Sequence, residues 1–374
     1  MNRADSSTNP PTKRLLSLDL FRGATMLLLV AEGTRLYRVF REYTPEGTWS
    51  HALATQFTHH AWNGLYFWDL IQPFFMFIVG VAMVFSLKKR VRREEDWPVA
   101  TRHILRRCGI LLALGVILHC GYSGELVWEL WNVLSQLSVT ILIAYLIVRW
   151  PLRSQLLFSL GLLLGVELLY RFFPVPGFDQ PFVMGQNAGS WFDLLLMGKT
   201  SGGGWVAINA LPTAAHTIWG VLAGKVLADN RPEMEKVKVL AIAGAAALLA
   251  GLLLDWSGVT PIIKRISTSS FVFASGGWAL LVLALCYWWI DIKGHQRGVY
   301  LFSVVGMNSI FIYMFAETVG KQWLNGYLSI FTEGVLQPLG LPAGGVALGT
   351  ALTALAVQWY LCHFLYQKRV LIKI

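Results

Sequence analysis

The sequence predicts an all-α, polytopic transmembrane helical bundle, and three observations lead to this fold class. Of the 374 residues, 55% are hydrophobic and only 14% are charged, whereas soluble domains carry roughly 25% charged residues. Apolar segments of about 20 residues, the length that an α-helix needs to cross a bilayer, recur along the whole chain. The 16 tryptophans and 12 tyrosines are typical of the aromatic belts at membrane interfaces.

Apolar length predicts ten spans. They cover approximately residues 18–37, 66–87, 104–121, 131–149, 153–172, 205–228, 237–256, 270–290, 299–320 and 345–366. A further apolar segment, 323–342, is interrupted by glycines and prolines, which break regular helices. We expect it to form an outer loop or a re-entrant piece, and the count becomes eleven if it also crosses.

The distribution of basic residues predicts the orientation. Lys and Arg are concentrated in alternate connections, for example KKRVRR at 88–93 and the pair at 368–369. Cytoplasmic loops carry such an excess, so both termini are expected to be cytoplasmic. The net charge of +10 is explained in the same way, and no basic face on a soluble domain indicates a nucleic-acid partner.

The chain is expected to form a single transmembrane domain over residues 14–374. Residues 1–13 lack the apolar core of a cleavable signal peptide and are expected to form a disordered cytoplasmic tail. The four cysteines stand singly, without the spacing of a disulfide framework or a zinc site, so no metal is expected.

The stretch HHAWNGLYFWDLIQPFFMFIVG, residues 59–80, places polar groups at the edge of a predicted span. His59 and His60 lie just before it on the predicted outer side, and Asn63 would share a face with His59 if the segment is helical. Asp69 lies inside the span, where ionisable side chains are expensive and usually face a cavity or a partner. A histidine is suited to accept a proton from an attacking nucleophile.

Other polar residues also interrupt the predicted spans, and each has a structural alternative. Asp19 and Arg22 are three apart in the first span, where they either pair with each other or bind a ligand. Single polar residues are commonly satisfied by hydrogen bonds between helices; together, however, they suggest a polar cavity. They are Glu32 in the first span, Gln72 in the second, Gln136 in the fourth, His216 in the sixth and Asn308 in the ninth.

The usual motifs of soluble enzymes are absent, including the P-loop, the Rossmann glycine pattern, GxSxG and HExxH. Composition and spacing therefore predict a bundle with an outer-facing polar site and name no reaction.

Two motifs resemble a known family. RLLSLDLFRGATMLLLV at 14–30, followed by HHAWNGLYFWDLIQPFFMFIVGVAM at 59–83, is similar to the catalytic region of the heparan-α-glucosaminide N-acetyltransferase family and its bacterial relatives. Segments NVLSQLSVT, LPTAAHTIWGVLAGKVL, TSSFVFASGG and GMNSIFIY agree more loosely. The resemblance extends over nearly the whole chain.

The resemblance implies transfer of acetyl from cytoplasmic acetyl-CoA to an amino sugar or related glycan on the far side of the membrane. The essential histidine of the family precedes the W-N-G motif by three residues, which corresponds to His59, followed by Trp62 and Asn63. The aspartate of the second span corresponds to Asp69. His59 then acts either as a general base or as a nucleophile that forms an acetyl-histidine intermediate.

The resemblance also implies groups that bind the two substrates. Basic residues on the cytoplasmic side are candidates for the phosphates of acetyl-CoA, although positive-inside topology explains them equally. This donor-binding set is Asp19, Arg22, Lys88, Lys89, Arg106 and Arg107. Polar residues of the spans and of the HHAWNG segment, taken from their position in the sequence, form the expected substrate-binding set: Glu32, His60, Trp62, Gln72, Gln136, His216 and Asn308.

This chain departs from the family pattern near the outer end of the first span. There it has Glu32 and Gly33, where the lysosomal member has an asparagine, so the acceptor is not expected to be glucosamine by default. We also expect neither the luminal domain nor the additional leading helix of that member. These features favour a bacterial cytoplasmic (inner) membrane protein and leave a homodimer open.

Two other functions remain alternatives. A transporter or exporter of a sugar derivative would also need a polar cavity with embedded charge, but not a histidine beside an acyl donor. A non-catalytic partner in envelope assembly would tolerate the replacement of His59.

Overall fold

The structure, a computed structural model, describes residues 15–372. Within this range all helices and turns agree with the predicted all-α class, and strand-type pairing is limited to one isolated bridge between Asn63 and Ile263. The fold class is confirmed. The tail predicted for residues 1–13 lies outside the described residues.

The helices of the described range alternate between long apolar ones and short ones in the connections. In chain order they are α1 (Leu16–Gly33), α2 (Leu36–Glu42), α3 (Trp49–Thr55), α4 (Ile71–Val91), α5 (Trp97–Ser123), α6 (Val133–Ile147), α7 (Leu152–Arg171), α8 (Ala188–Met197), α9 (Ala210–Leu227), α10 (Glu233–Trp256), α11 (Ser269–Cys286), α12 (Val299–Met307), α13 (Ser309–Phe315), α14 (Asn325–Leu336) and α15 (Ala343–Gln367). Single 3-10 turns, Phe67–Leu70 and Ala207–Asn209, precede α4 and α9, and π-helical segments, Tyr287–Ile292 and Ala316–Leu324, follow α11 and α13.

In the described range, six helices are long and apolar enough to cross a bilayer, or up to seven if one bent pair counts as a single span. They make the chain a multi-pass membrane protein. Each of the ten predicted spans contains a helix, but α6, for example, has 15 residues and reaches about 22 Å, short of the roughly 30 Å hydrocarbon core. The count of ten and the orientation of the termini stay predictions.

The last third of the chain differs from the expected pattern. The predicted ninth span, 299–320, is bent at Asn308, where α12 and the helical stretch 309–336 meet at 77°. The segment 323–342 is not an irregular loop, because α14 continues that stretch to Leu336. Glycines at 326 and 334 are tolerated inside this helix, and the chain breaks only near Gly340 and Pro342.

The ends of the long helices gather at two ends of the bundle. At one, which we call the terminal end, the Leu16 and Ser17 amides that open α1 donate to Asp291, which follows α11, at 3.2 and 3.1 Å. At the other, which we call the loop end, lie α2, α3, α8 and the connection 257–268 between α10 and α11.

The centre of the bundle is held by close backbone contact between α4 and α9. A Cβ on Gly80 would lie 2.0 Å from the Thr217 carbonyl oxygen, and a Cβ on Gly220 would lie 2.0 Å from that of Phe77. Small residues at helix crossings allow such approach in membrane proteins, where van der Waals packing replaces the hydrophobic driving force between helices. This contact gives the remaining helices a fixed scaffold.

Candidate functional site

His59 and Asp69, which the sequence analysis singles out separately, form a pair. Asp69 lies in the 3-10 turn that leads into α4, and its Oδ1 is 3.0 Å from Nδ1 of His59. Its Oδ2 accepts hydrogen bonds from the backbone amides of Tyr66, at 3.0 Å, and His60, at 3.3 Å. The carboxylate, whose side chain is 1% exposed, is therefore held by the same loop that carries His59.

A lysine from a distant part of the chain completes this cluster. Nζ of Lys264 lies 3.1 Å from Nδ1 of His59 and 3.5 Å from Oδ1 of Asp69. Its side chain is 7% exposed and comes from the connection 257–268. Lys264 is not among the residues that the sequence predicts for the site.

Backbone pairing explains why Lys264 reaches the histidine loop. The amide of Gly64 donates to the Ile262 carbonyl at 2.8 Å, and Asn63 and Ile263 form the isolated bridge. Residues 59–66 form an extended loop, so the condition under which His59 and Asn63 would share a helical face is not met.

Burial and the lysine together keep the His59 imidazole neutral at neutral pH. Burial, with a further contribution from the Lys264 cation, lowers the pKa of His59 to about 4, although Asp69 opposes the shift. Burial also lowers the pKa of Lys264 to about 8, again against the effect of Asp69. The histidine is nevertheless 38% exposed, since its side chain lines an internal cavity.

That cavity, which we call the His59 cavity, has a volume of about 330 Å³. It lies toward the loop end, between polar side chains of several helices and the rings of Trp68, Trp131 and Trp205. Trp205 meets the His59 ring edge to face at 5.5 Å, and Nζ of Lys264 lies 5.6 Å from the centre of its ring. Of the sequence-predicted residues, Glu32, His59, Gln72 and Gln136 line the His59 cavity, and Asp69 lies directly behind His59.

One wall of the His59 cavity is a chain of amides. Gln72 donates to Gln136, and Gln136 donates to Asn209. The Asn209 side chain in turn donates to the backbone oxygen of Arg265 at 3.3 Å. This chain of amides links α4, α6 and the turn before α9 to the connection that carries Lys264, and of its members Gln72 and Gln136 line the cavity.

The opposite wall carries carboxylates that sequence reasoning missed, apart from Glu32. Glu317 is buried in the π-helical segment after α13 and accepts hydrogen bonds from Tyr122 and from Nζ of Lys321, the latter at 2.8 Å. Glu32 lines the same cavity from α1. The sequence does contain a signal for Glu317, because this glutamate, in FAETVGK, lies within a predicted span that is otherwise apolar.

Three predicted residues of the HHAWNG segment lie beside the cavity and do not line it. The ring of His60 packs on Tyr66 at 4.6 Å. Trp62 donates to the Phe182 carbonyl at 2.7 Å and holds the neighbouring loop. Asn63 is exposed, and its side chain makes no hydrogen bond within residues 15–372.

Gly64 of this segment has a conformation that only glycine adopts without strain, with φ of +144°. A Cβ there would lie 2.5 Å from the His60 ring. The glycine therefore allows the loop to fold back so that the His60 and Tyr66 amides reach Asp69.

Two further predicted residues are satisfied elsewhere by contacts within the bundle. His216 is fully buried, and its Nε2 lies 2.9 Å from the hydroxyl of Ser275 between α9 and α11. Asn308, at the bend between α12 and α13, donates to the Val370 carbonyl at 3.0 Å and accepts from the Ile372 amide at 2.8 Å. Both residues are thus satisfied by hydrogen bonds within the protein, as expected for polar residues without a ligand-binding role, and neither lines the His59 cavity.

A second cavity, of about 160 Å³, lies on the terminal side of the first, and we call it the Arg22 cavity. Arg22 and Arg107 line it, and Arg22 also pairs with Asp19 at 2.9 Å. Nε of Arg107 is buried and makes no hydrogen bond in the described range. The other predicted basic residues, Lys88, Lys89 and Arg106, are exposed and do not line this cavity.

A third cavity opens the site toward the loop end, and we call it the vestibule. Its volume is about 720 Å³, and it shares Glu32, His59 and Trp68 with the His59 cavity. Arg35 and Arg41 are among the charged residues around it. The imidazole is thus reached from the loop end through a wide polar opening.

No group of three or more histidine, cysteine or acidic side chains is placed to hold a metal ion in residues 15–372.

Comparison with known proteins agrees with the resemblance seen in the motifs. Residues 14–255 match the family model described as heparan-alpha-glucosaminide N-acetyltransferase, catalytic. Heparan-alpha-glucosaminide N-acetyltransferase from Homo sapiens is 24% identical over 82% of this chain and 53% of its own length. The same enzyme from Mus musculus is 24% identical over 84% of this chain and 54% of its own length.

The chain therefore spans about half the length of the curated relatives that it matches. The match to the family model, in contrast, extends over more than half of this chain and includes α1, the histidine loop, Asp69 and the helices through α10. The chain belongs to the heparan-alpha-glucosaminide N-acetyltransferase family.

Proposed function

We propose that the protein is a membrane acyltransferase that moves acetyl from acetyl-CoA, bound at the terminal end, to an amino group of a sugar or related glycan at the loop end. One observation carries this proposal: His59, with Asp69 and Lys264, lines a cavity that meets a second cavity holding two arginines. The names of the relatives supply the reaction class.

His59 is the group that would handle the reaction. When its Nδ1 proton is donated to Asp69, Nε2 carries a lone pair, and Nε2 makes no hydrogen bond within the described residues. Nε2 then either accepts a proton from the attacking amine or attacks the thioester carbonyl carbon itself. In the first case the C–N bond forms, the C–S bond breaks and CoA leaves as a thiolate that takes up the proton.

The electrostatics of the cluster favour the second, covalent route. A base with a pKa of about 4 accepts protons poorly near neutral pH, because the best general bases have pKa values near the working pH. A weakly basic imidazole is, however, always available as a neutral nucleophile. In this route the Nε2–C bond forms, the C–S bond breaks and CoA leaves as a thiolate. The amine then displaces the imidazole from the acetyl carbon, and the thiolate takes up the proton that the amine loses. The nearby Lys264 cation raises the free energy of an acetyl-imidazolium, so the acetyl group passes on readily to the amine.

The donor's phosphates are assigned to Arg22 and Arg107, because guanidinium groups bind phosphate through paired hydrogen bonds. Lys88, Lys89 and Arg106 contribute only to the surrounding positive potential, and Asp19 orients Arg22. The terminal end would be cytoplasmic under the positive-inside orientation, as expected for a protein of the cytoplasmic membrane.

The acceptor is assigned to the His59 cavity and the vestibule. Three tryptophans and the carboxylates of Glu32 and Glu317 are suited to a polyhydroxylated amine, since carboxylates accept from hydroxyl and ammonium groups and rings cover the apolar face of a sugar. Gln72 and Gln136 add amide groups on the facing wall.

The test uses the purified protein in detergent with acetyl-labelled CoA and a panel of amino sugars and glycans. We expect release of free CoA and labelled product from the wild type, and a loss of roughly 100-fold or more in His59→Ala. His295→Ala, an exposed histidine outside the three cavities, is the matched control. Thermal unfolding checks that each variant is folded.

Other outcomes would overturn the proposal. Turnover retained in a folded His59→Ala protein would exclude the histidine mechanism. Sugar binding without any binding of CoA would indicate the transporter alternative, which the relatives do not support, since both are named as acetyltransferases.

A further inference from the structure

The His59 cavity and the Arg22 cavity have four lining residues in common, which we call the junction. Each comes from a different helix, and the residues are Leu29 of α1, Phe75 of α4, Val133 of α6 and Tyr313 of α13. The two cavities therefore adjoin at these four side chains, which line both of them.

Helix α1 shows that the route between the two cavities runs along the bundle axis. Arg22, Met26 and Leu29 line the Arg22 cavity, and Leu29 and Glu32 line the His59 cavity. Their spacing of four, three and three residues places them on one helical face. The route from Arg22 to Glu32 thus covers about 15 Å at 1.5 Å per residue.

The junction is uncharged. Three of its side chains are apolar, and Phe75 is only 8% exposed. Its one polar group is the hydroxyl of Tyr313, which makes no hydrogen bond with another residue of the range 15–372. Arg22 and Arg107 lie on one side of the junction, and the carboxylates of Glu32 and Glu317 lie with Lys264 on the other.

We propose that the junction is a width filter for the acyl donor. It admits the slender acyl-thioester arm, holds the nucleotide on the arginine side and excludes branched or aromatic acyl groups. This inference rests on the proposed function and adds to it the class of acyl donor that the site accepts.

The physical reason is the contrast between the two parts of the donor. Next to the thioester, the arm of CoA is a single chain of methylenes and amides, and its dimethyl-substituted carbon lies farther along, toward the nucleotide. The Tyr313 hydroxyl would donate to a carbonyl of the slender part. The nucleotide is wide and carries phosphate charges, which are costly to move into an apolar passage. A branch next to the thioester must fit between Leu29 and Val133.

Widening the junction tests the filter. Acetyl-CoA and isobutyryl-CoA are supplied together, so that they compete as donors to the best acceptor. The proteins compared are the wild type, Leu29→Ala and Val133→Ala. We expect the ratio of isobutyryl to acetyl product to rise roughly 10-fold or more in the variants, because one or two methyl groups in a pocket discriminate by about that factor. An unchanged ratio would overturn the filter.

Narrowing the junction gives the complementary test. Leu29→Phe should lower acetyl transfer by about 100-fold, since small misplacements of reacting groups have such effects. Binding of adenosine 3′,5′-bisphosphate, which lacks the arm, should stay unchanged. Leu164→Phe, at a position 60% exposed on α7, controls for the added volume.

The two tests separate this inference from the proposed function. If the wild type transfers acetyl and Leu29→Phe transfers it equally well, the filter is wrong and the acyltransferase stands. If the wild type transfers acetyl to no acceptor, the proposed function fails and the filter fails with it.

Discussion

Nζ of Lys264 lies 3.1 Å from Nδ1 of His59, the same ring nitrogen that is 3.0 Å from Asp69. A ring nitrogen either donates or accepts in its plane, so Nδ1 serves one of these partners at a time. Donation to Asp69 leaves a lone pair on Nε2. Under the proposed mechanism, acceptance from Lys264 would put the proton on Nε2 and remove its reactivity, so we expect the lysine to control the reactive tautomer.

This competition predicts a pH dependence. Burial lowers the pKa of Lys264 to about 8, so above that pH the lysine becomes neutral and loses its charge-assisted donation to Nδ1. The tautomer with Nδ1–H donated to Asp69 is then favoured, and kcat/KM should rise as pH passes through about 8. The measurement is the pH–rate profile of acetyl transfer.

Deprotonation of the acceptor amine also raises the rate with pH, but it does so equally in the wild type and in variants of Lys264. A comparison of these proteins therefore isolates the part of the rise that is due to the lysine. Lys264→Met has no donor and should lose the additional rise near pH 8. Lys264→Arg stays protonated throughout and should remain less active than the wild type at pH 9. Identical profiles for the three proteins would show that the lysine does not control the tautomer.

The buried charges of Asp69 and Lys264 predict a coupled effect on stability. Asp69→Asn leaves the Lys264 cation buried without its carboxylate and should lower the free energy of unfolding by about 3–5 kcal/mol. Asp69→Asn combined with Lys264→Met should recover most of this loss while remaining inactive. Thermal unfolding in detergent measures both, and a double variant as unstable as the single one would contradict the pairing.

The Arg22 cavity predicts which basic residues bind the donor. Arg22→Gln and Arg107→Gln should each raise the KM for acetyl-CoA roughly 10- to 100-fold, because a hydrogen bond to a charged group contributes about 1.5–3 kcal/mol. Lys89→Gln, an exposed position outside the cavity, should change it little. Equal effects from all three would mean that only the general positive potential matters.

The loop geometry predicts a pair of variants that compensate for each other. Gly64→Ala places a methyl group 2.5 Å from the His60 ring and should shift the loop away from Asp69, with lower activity and a lower melting temperature. Adding His60→Ala removes the clash and should recover part of the loss. The strain of φ at +144° remains, so full recovery is not expected.

Sequence reasoning identified the fold class and the central pair because both depend on local signals. Apolar length predicts helices, and Asp69 is conspicuous inside an apolar run, ten residues from His59. The conformation of the HHAWNG segment, in contrast, depends on pairing with residues 262–263, which lie about 200 positions away.

Lys264 was missed for the same reason, although the sequence contained a signal. Lys264 and Arg265 lie on the predicted outer side, against the positive-inside tendency, between apolar segments. A basic pair that does not serve the positive-inside orientation is a candidate for a functional site. His216 and Asn308 show the opposite case, since polar residues within spans were satisfied by neighbouring helices and not by the cavity.

The thin junction between the two cavities also has an electrical consequence. Where aqueous cavities enter a membrane protein from both ends, the transmembrane voltage falls mainly across the remaining layer of low-dielectric side chains. The electrical work of moving one elementary charge across this layer is about 2.3 kcal/mol per 100 mV. On the proposed route, a neutral acetyl group would cross Leu29 and its three neighbours without electrical work. Phosphates, protons and inorganic ions would meet this electrical cost, so we expect the same four side chains to pass the acyl group and to keep the membrane insulating.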